Sequence, residues 1–257
     1  MPAIDAEEHE KMECPADLAA LKPVRLILLL CAAVPLVAAP QRFASGGTRT
    51  HLIELYSSEG CSSCPPAEQW LGDLRNEAGL WRAFVPVSFH VVYWDRLGWP
   101  DRFARKEFTD RQYAYAGRWG GDTVYTPGFV LDGVEWRPAP DGRLPPPATE
   151  TPGVLAVEYT GTGLCRVRFE AAGEFEVHAA VLGGGITSSV RAGENAGRTL
   201  RHEFVALSLA AAPLQAGAAD LRLPLPVVAG VTHHALAVWV THRGELVPLQ
   251  ATGGWLD

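Results

Sequence analysis

The sequence predicts an α/β domain followed by an all-β domain. Three observations carry that expectation: a strand–helix–strand succession from Thr50 to Trp94, a proline-dense break from Arg137 to Gly153, and short alternating apolar runs from Val154 to Ala251. At 257 residues and 47% hydrophobic content, the chain can bury a core in each of two modest domains. Its formal charge of −7 comes without a basic cluster interleaved with aromatics, which excludes a nucleic-acid footprint.

The N-terminal segment reads as an export signal. Lys22 and Arg25 precede the apolar run Leu26 to Ala39, which is broken by Pro35 and closes on small residues. That run is shorter than the roughly 20 apolar residues a membrane span needs, so an uncleaved N-terminal membrane anchor is the lesser reading. Met1 to Leu21 is a long polar lead, which translation from Met12 would shorten, and Leu30 argues against lipidation of Cys31. Residues 1–45 are therefore assigned to a signal peptide and disordered lead. The mature chain is expected to be secreted or periplasmic, where thiols oxidise. Cleavage would remove Cys14 and Cys31 and leave Cys61, Cys64 and Cys165.

Residues 46–137 are assigned to the α/β domain. Thr50 to Tyr56 is a strand, and Ala67, Trp70, Leu71 and Leu74 then give a helix one apolar face, with Pro65 and Pro66 in its first turn. Phe84 to Trp94 is a near-continuous apolar run, the pattern of a strand buried on both faces. Phe108, Gln112, Tyr115, Ala116 and Trp119 repeat at helical spacing before the stop Gly120-Gly121. Thr126-Pro127 then leads into a hairpin turned by Asp132-Gly133. Residues 138–153 carry a proline density that excludes helix and are assigned to an extended linker. Residues 154–257 are assigned to a small antiparallel β-sandwich, its strands divided by turns such as Gly183-Gly184-Gly185.

The chemistry is expected at Cys61-Ser62-Ser63-Cys64, between the first strand and first helix. There the free N–H groups and dipole of a helix start favour a thiolate on Cys61, with Cys64 as the resolving thiol. Cys165, in an alternating strand, reads as a buried thiol.

The order of elements resembles the thioredoxin fold, in which the residue pair before the last hairpin holds a cis-proline facing the disulfide; Thr126 and Pro127 match that pair. More closely, Leu55 to Pro66, Phe89 to Trp99, Val124 to Pro127 and Gly193 to Leu200 resemble the mostly bacterial, secreted domain-of-unknown-function family 1223. That resemblance implies a thioredoxin-like fold and a secreted location, with the proline-rich Arg137 to Gly153 standing where a final helix is usual. The likeness to thioredoxins, by analogy, places the chemistry on Cys61, Cys64, Thr126 and Pro127. Glu54 lies nearest to where such folds carry a buried acid, and reads equally as a proton relay or as an edge carboxylate.

Thiol–disulfide exchange with a protein disulfide or dithiol substrate and a separate redox partner is the leading reading, with no cofactor. Two alternatives stay open. One is a copper(I) or other metal chaperone, its thiolates joined by His90, His233, His234 or His242, although these read first as ordinary strand histidines. The other is a non-catalytic binding module with a structural disulfide. Tyr93, Trp94 and Trp99 either line a groove or pack the core, and Glu194 to Arg198 reads as a structural polar turn.

Overall fold

The computed structural model describes residues 39–139 and 142–256. Residues 1–38, with Cys14, Cys31 and most of the segment read as an export signal, lie outside the described residues. A strand β1 (Gln41–Ala44) opens the fold inside the segment assigned to the lead. The strand–helix–strand unit follows as β2 (His51–Ser57), α1 (Pro65–Asp73) and β3 (Phe84–His90). β3 stops short of Trp94: Val91 donates to Ser57 O, Val92 to Thr109 Oγ1, and the chain turns through a short 3-10 segment, Val92–Leu97. Helix α2 (Lys106–Arg118) buries Phe108, Gln112, Tyr115 and Ala116, and Gly120 beyond its end takes positive φ. Next come β4 (Gly128–Leu131) and β5 (Val134–Trp136), joined by Asp132 and Gly133, both at positive φ as a two-residue hairpin turn requires.

Nine strands follow among the described residues: β6 (Leu155–Tyr159), β7 (Leu164–Phe169), β8 (Phe175–Gly184), β9 (Ile186–Ser189), β10 (Thr199–His202), β11 (Val205–Pro213), β12 (Ala218–Arg222), β13 (His233–His242) and β14 (Pro248–Leu256). Gly183 and Gly184 do not form the expected turn. They end β8, where Leu207 crowds the first, and His233 and Glu203 leave the second no room for a side chain.

The expected fold class, an α/β thioredoxin-like domain followed by a separate small antiparallel sandwich, does not form. The described chain is mostly β, and eight strands from both halves join one mixed sheet in the order β14-β13-β8-β11-β3-β2-β4-β5. β3 is buried along its whole length and needs a neighbour on each side. β2 pairs with it in parallel on one side; β11 meets it on the other, where Ser88 N donates to Phe204 O at 2.8 Å. A four-stranded antiparallel sheet, β1-β6-β7-β12, and the hairpin β9-β10 complete the fold.

The alternation of β8 serves two cores. Val177, Ala179 and Val181 pack with Val157, Val167 and Phe169 of the four-stranded sheet, while Ala180 and Leu182 join Trp239, Phe89 and Leu71 on the helix side. Each large side chain so buried contributes roughly 1.5–3 kcal/mol. The proline-rich stretch has no helix or strand among its described residues, yet it is held to the sheet. Arg49 N donates to Glu150 O at 2.8 Å, and His51 donates to Pro146 O at 2.9 Å and to Asp132 Oδ2 at 2.5 Å.

Candidate functional site

Cys61 and Cys64 form a disulfide, and Cys64 is the N-cap residue of α1. Cys61 N donates to Ser58 O, and Cys64 O accepts from Ala67 and Glu68, so the corner is continuous with the helix. Both cysteines are fully buried, whereas Ser62 and Ser63 between them are exposed.

The second half of the chain ties this corner down. Asn195, itself fully buried, donates through Nδ2 to Glu59 O at 2.9 Å and to Cys61 O at 2.8 Å, and Arg198 donates to its Oδ1 at 2.7 Å. Glu194 accepts from Ser62 N at 3.0 Å and Ser62 Oγ at 2.7 Å, and these donors hold its carboxyl below the usual range. The polar turn Glu194 to Arg198 thus closes over the cysteine corner.

The Thr126–Pro127 bond is cis. Trp94 links it to the corner: its Nε1 donates to Thr126 Oγ1 at 2.7 Å, and its Cβ lies 3.0 Å from where Gly60 would carry one. Trp94 therefore packs, and Gly60 cannot be larger without displacing it.

Beside α1 lies a buried cluster of three carboxylates and two imidazoles. Glu68, on α1, accepts from Ser57 Oγ and from His202 Nδ1 of β10. His90, at the end of β3, donates from Nδ1 to Asp101 Oδ2 at 2.7 Å, and its Nε2 stands 3.8 Å from Glu68 Oε1 without a hydrogen bond. His202 Nε2 lies 3.3 Å from Glu59 Oε1, outside hydrogen-bond geometry, while Glu59 Oε2 accepts from Trp99 at 2.7 Å. Asp101 also accepts from the backbone of Glu59 and Phe103.

Burial works against charge on His202, but Glu68 and Glu59 outweigh it and hold the pKa at about 10. Burial likewise opposes ionisation of Asp101, and His90 with the two backbone donors overrides it to about 2. Glu68 and Glu59 are also lowered, because His202 overcomes their desolvation.

Glu54 is not an edge carboxylate. It is fully buried and accepts from Arg111 at 2.7 and 3.0 Å, Tyr115 at 2.6 Å and Tyr56 at 3.0 Å. Of the candidate metal histidines, His90 alone enters the cluster. His233 pairs with Glu203 at 2.9 Å, and His242 stacks on Phe175. Cys165 is a buried free thiol, pushed up to about 12 by burial. Glu68, His202 and Asp101 escaped the sequence reading. Their signals were faint: Glu68 sits three residues before Leu71 on the apolar face, and His202 alternates with Leu200.

A family model described as protein of unknown function (DUF1223) matches residues 52–241. The chain belongs to this family. No curated protein matches it. Among solved structures, a crystal structure of an Agrobacterium tumefaciens protein is similar at 25% identity and TM-score 0.59, covering 81% of this chain and 94% of that one. HBP35 of Porphyromonas gingivalis is similar at 13% identity and TM-score 0.50, covering 83% and 77%, a likeness of fold alone.

Proposed function

We propose that the Cys61–Cys64 pair carries out thiol–disulfide exchange. The observation that carries this reading is the disulfide at the first turn of α1, where the helix start favours a departing thiolate. A substrate thiolate attacks Cys61 Sγ, the Cys61–Cys64 bond breaks, and Cys64 leaves as the thiolate. A second substrate thiolate then attacks the substrate sulfur of the mixed disulfide and releases Cys61. The net result is an oxidised substrate and a reduced pair; the reverse sequence reduces a substrate disulfide. Since both cysteines are buried, exchange requires the corner to open, and the segment proposed to move is the Glu194–Arg198 turn that Asn195 latches to it. The compartment proposed is outside the cytoplasm, resting on the apolar segment Leu26 to Ala39.

The test is insulin reduction by the full chain in dithiothreitol, with Cys61→Ser as control. Wild-type acceleration lost in Cys61→Ser supports exchange; equal rates sink it. A second reading, a structural disulfide, is favoured by the complete burial of both cysteines. It predicts a pair that small thiols reduce only as the protein unfolds.

A further inference from the structure

We infer that Glu68, His90 and His202 form a binding site for a divalent transition-metal ion of the zinc class, separate from the two cysteines. One ligand atom from each lies within 4.8 Å of those of the other two, and all three residues are buried. Two imidazoles and a carboxylate are a donor set that suits zinc, with bonds of about 2.0–2.2 Å and a fourth position open.

Proximity alone would not distinguish this from a buried ion cluster. The orientation of the rings does. His90 turns Nδ1 to Asp101 at 2.7 Å and leaves Nε2, wholly buried and without a hydrogen-bond partner, facing Glu68 Oε1 at 3.8 Å. His202 turns Nε2 toward Glu59 Oε1 at 3.3 Å and presents Nδ1 to Glu68 Oε2. Each imidazole thus has a carboxylate behind it and its other nitrogen directed at Glu68. A metal-ligating histidine uses this arrangement: the outer carboxylate fixes ring and tautomer while the inner nitrogen binds. Asp101 is then a positioning residue, locked by the backbone N–H groups of Glu59 and Phe103, while Glu59, held by Trp99, faces His202 Nε2 without a hydrogen bond.

Charge points the same way. Three carboxylates share this interior with two imidazoles, so the cluster keeps a negative surplus even with both rings protonated. A divalent ion replacing two protons preserves that balance. Glu68 borders two surface depressions, one lined by Gln69, Gly72 and Arg75 and the other by Pro65, Arg198 and Thr199.

The test uses the full chain, stripped of metal and kept oxidised so that Cys61 and Cys64 offer no thiolate. Titration with cobalt(II) and with zinc is expected to reach one equivalent per chain, giving a cobalt spectrum of nitrogen and oxygen ligation. The double variant Cys61→Ser/Cys64→Ser should bind as wild type. Folded His90→Ala and His202→Ala should lose affinity by at least about 100-fold, and Asp101→Asn by about 10- to 100-fold. If those variants do not fold, zinc-edge X-ray absorption of the wild-type protein decides, with imidazole scattering and no sulfur expected. Absence of saturable binding, undiminished binding without His90 and His202, or sulfur in the first shell would each overturn the site. Because the cysteine double variant cannot exchange disulfides, its metal binding stands or falls independently of the redox reading.

Discussion

Two buried charged clusters lie along the β2–β3 strands, and they differ in one respect. Around Glu54 both carboxylate oxygens are fully engaged: Arg111 forks onto the pair, and Tyr56 and Tyr115 donate to them. Around Glu68 three buried atoms, Glu59 Oε1, His90 Nε2 and His202 Nε2, lack hydrogen bonds. The first cluster uses up its bonding capacity in holding the fold. The second keeps capacity in reserve, beside a disulfide.

The largest effect expected from breaking this contrast lies in the closed cluster. Arg111→Met strands Glu54 as an unpaired buried charge and should cost about 3–5 kcal/mol in chemical denaturation. The double change Arg111→Met/Glu54→Leu should recover most of it. Cobalt binding and disulfide exchange of the folded fraction should be unchanged in both.

In the open cluster the effect depends on pH. The folded-state pKa of His202 is raised above its unfolded value to about 10, so its stabilisation is fully present below about 6.5 and fades as pH rises toward about 10. In chelator, the stability gap between wild type and His202→Gln, on the order of a few kcal/mol at pH 6, should narrow steadily to pH 10. A gap that stays constant would contradict the ion pairing. Asp101 acts at the other end: its depressed pKa of about 2 contributes stability above about 3.8 that is lost as pH falls through that range.

Smaller still is the latch. Asn195→Ala removes two hydrogen bonds to the cysteine corner, and reduction of the pair by dithiothreitol should speed up by about tenfold, the equivalent of roughly 1.4 kcal/mol. The smallest effect expected is for Cys165→Ala, remote from both clusters. It should cost about 1 kcal/mol and leave metal binding and exchange untouched.

Much of the local structure was legible in the sequence. The change from alternating to helical periodicity located α1 between β2 and β3, Asp132-Gly133 located the hairpin, and the alternating runs located β6, β7, β8 and β13. What local pattern does not encode is strand partnership. The unbroken apolar run of β3 announced two buried faces but could not name β11 as its neighbour, and the expected fold class failed there. The site was half visible for the same reason. Cys61 and Cys64 are close in sequence. Glu68, His90, Asp101 and His202 come from four segments, and Asn195 sits in a polar turn whose pattern does not announce its burial.

Whether the covered disulfide exchanges at all is tested most directly by equilibrating the folded full chain in glutathione buffers of graded potential and alkylating the freed thiols. An exchange-active pair predicts reversible reduction at a potential above about −300 mV, with glutathione trapped on Cys61 in Cys64→Ser. A pair that stays oxidised below that potential, and yields its thiols only as the fold is lost, would contradict the account.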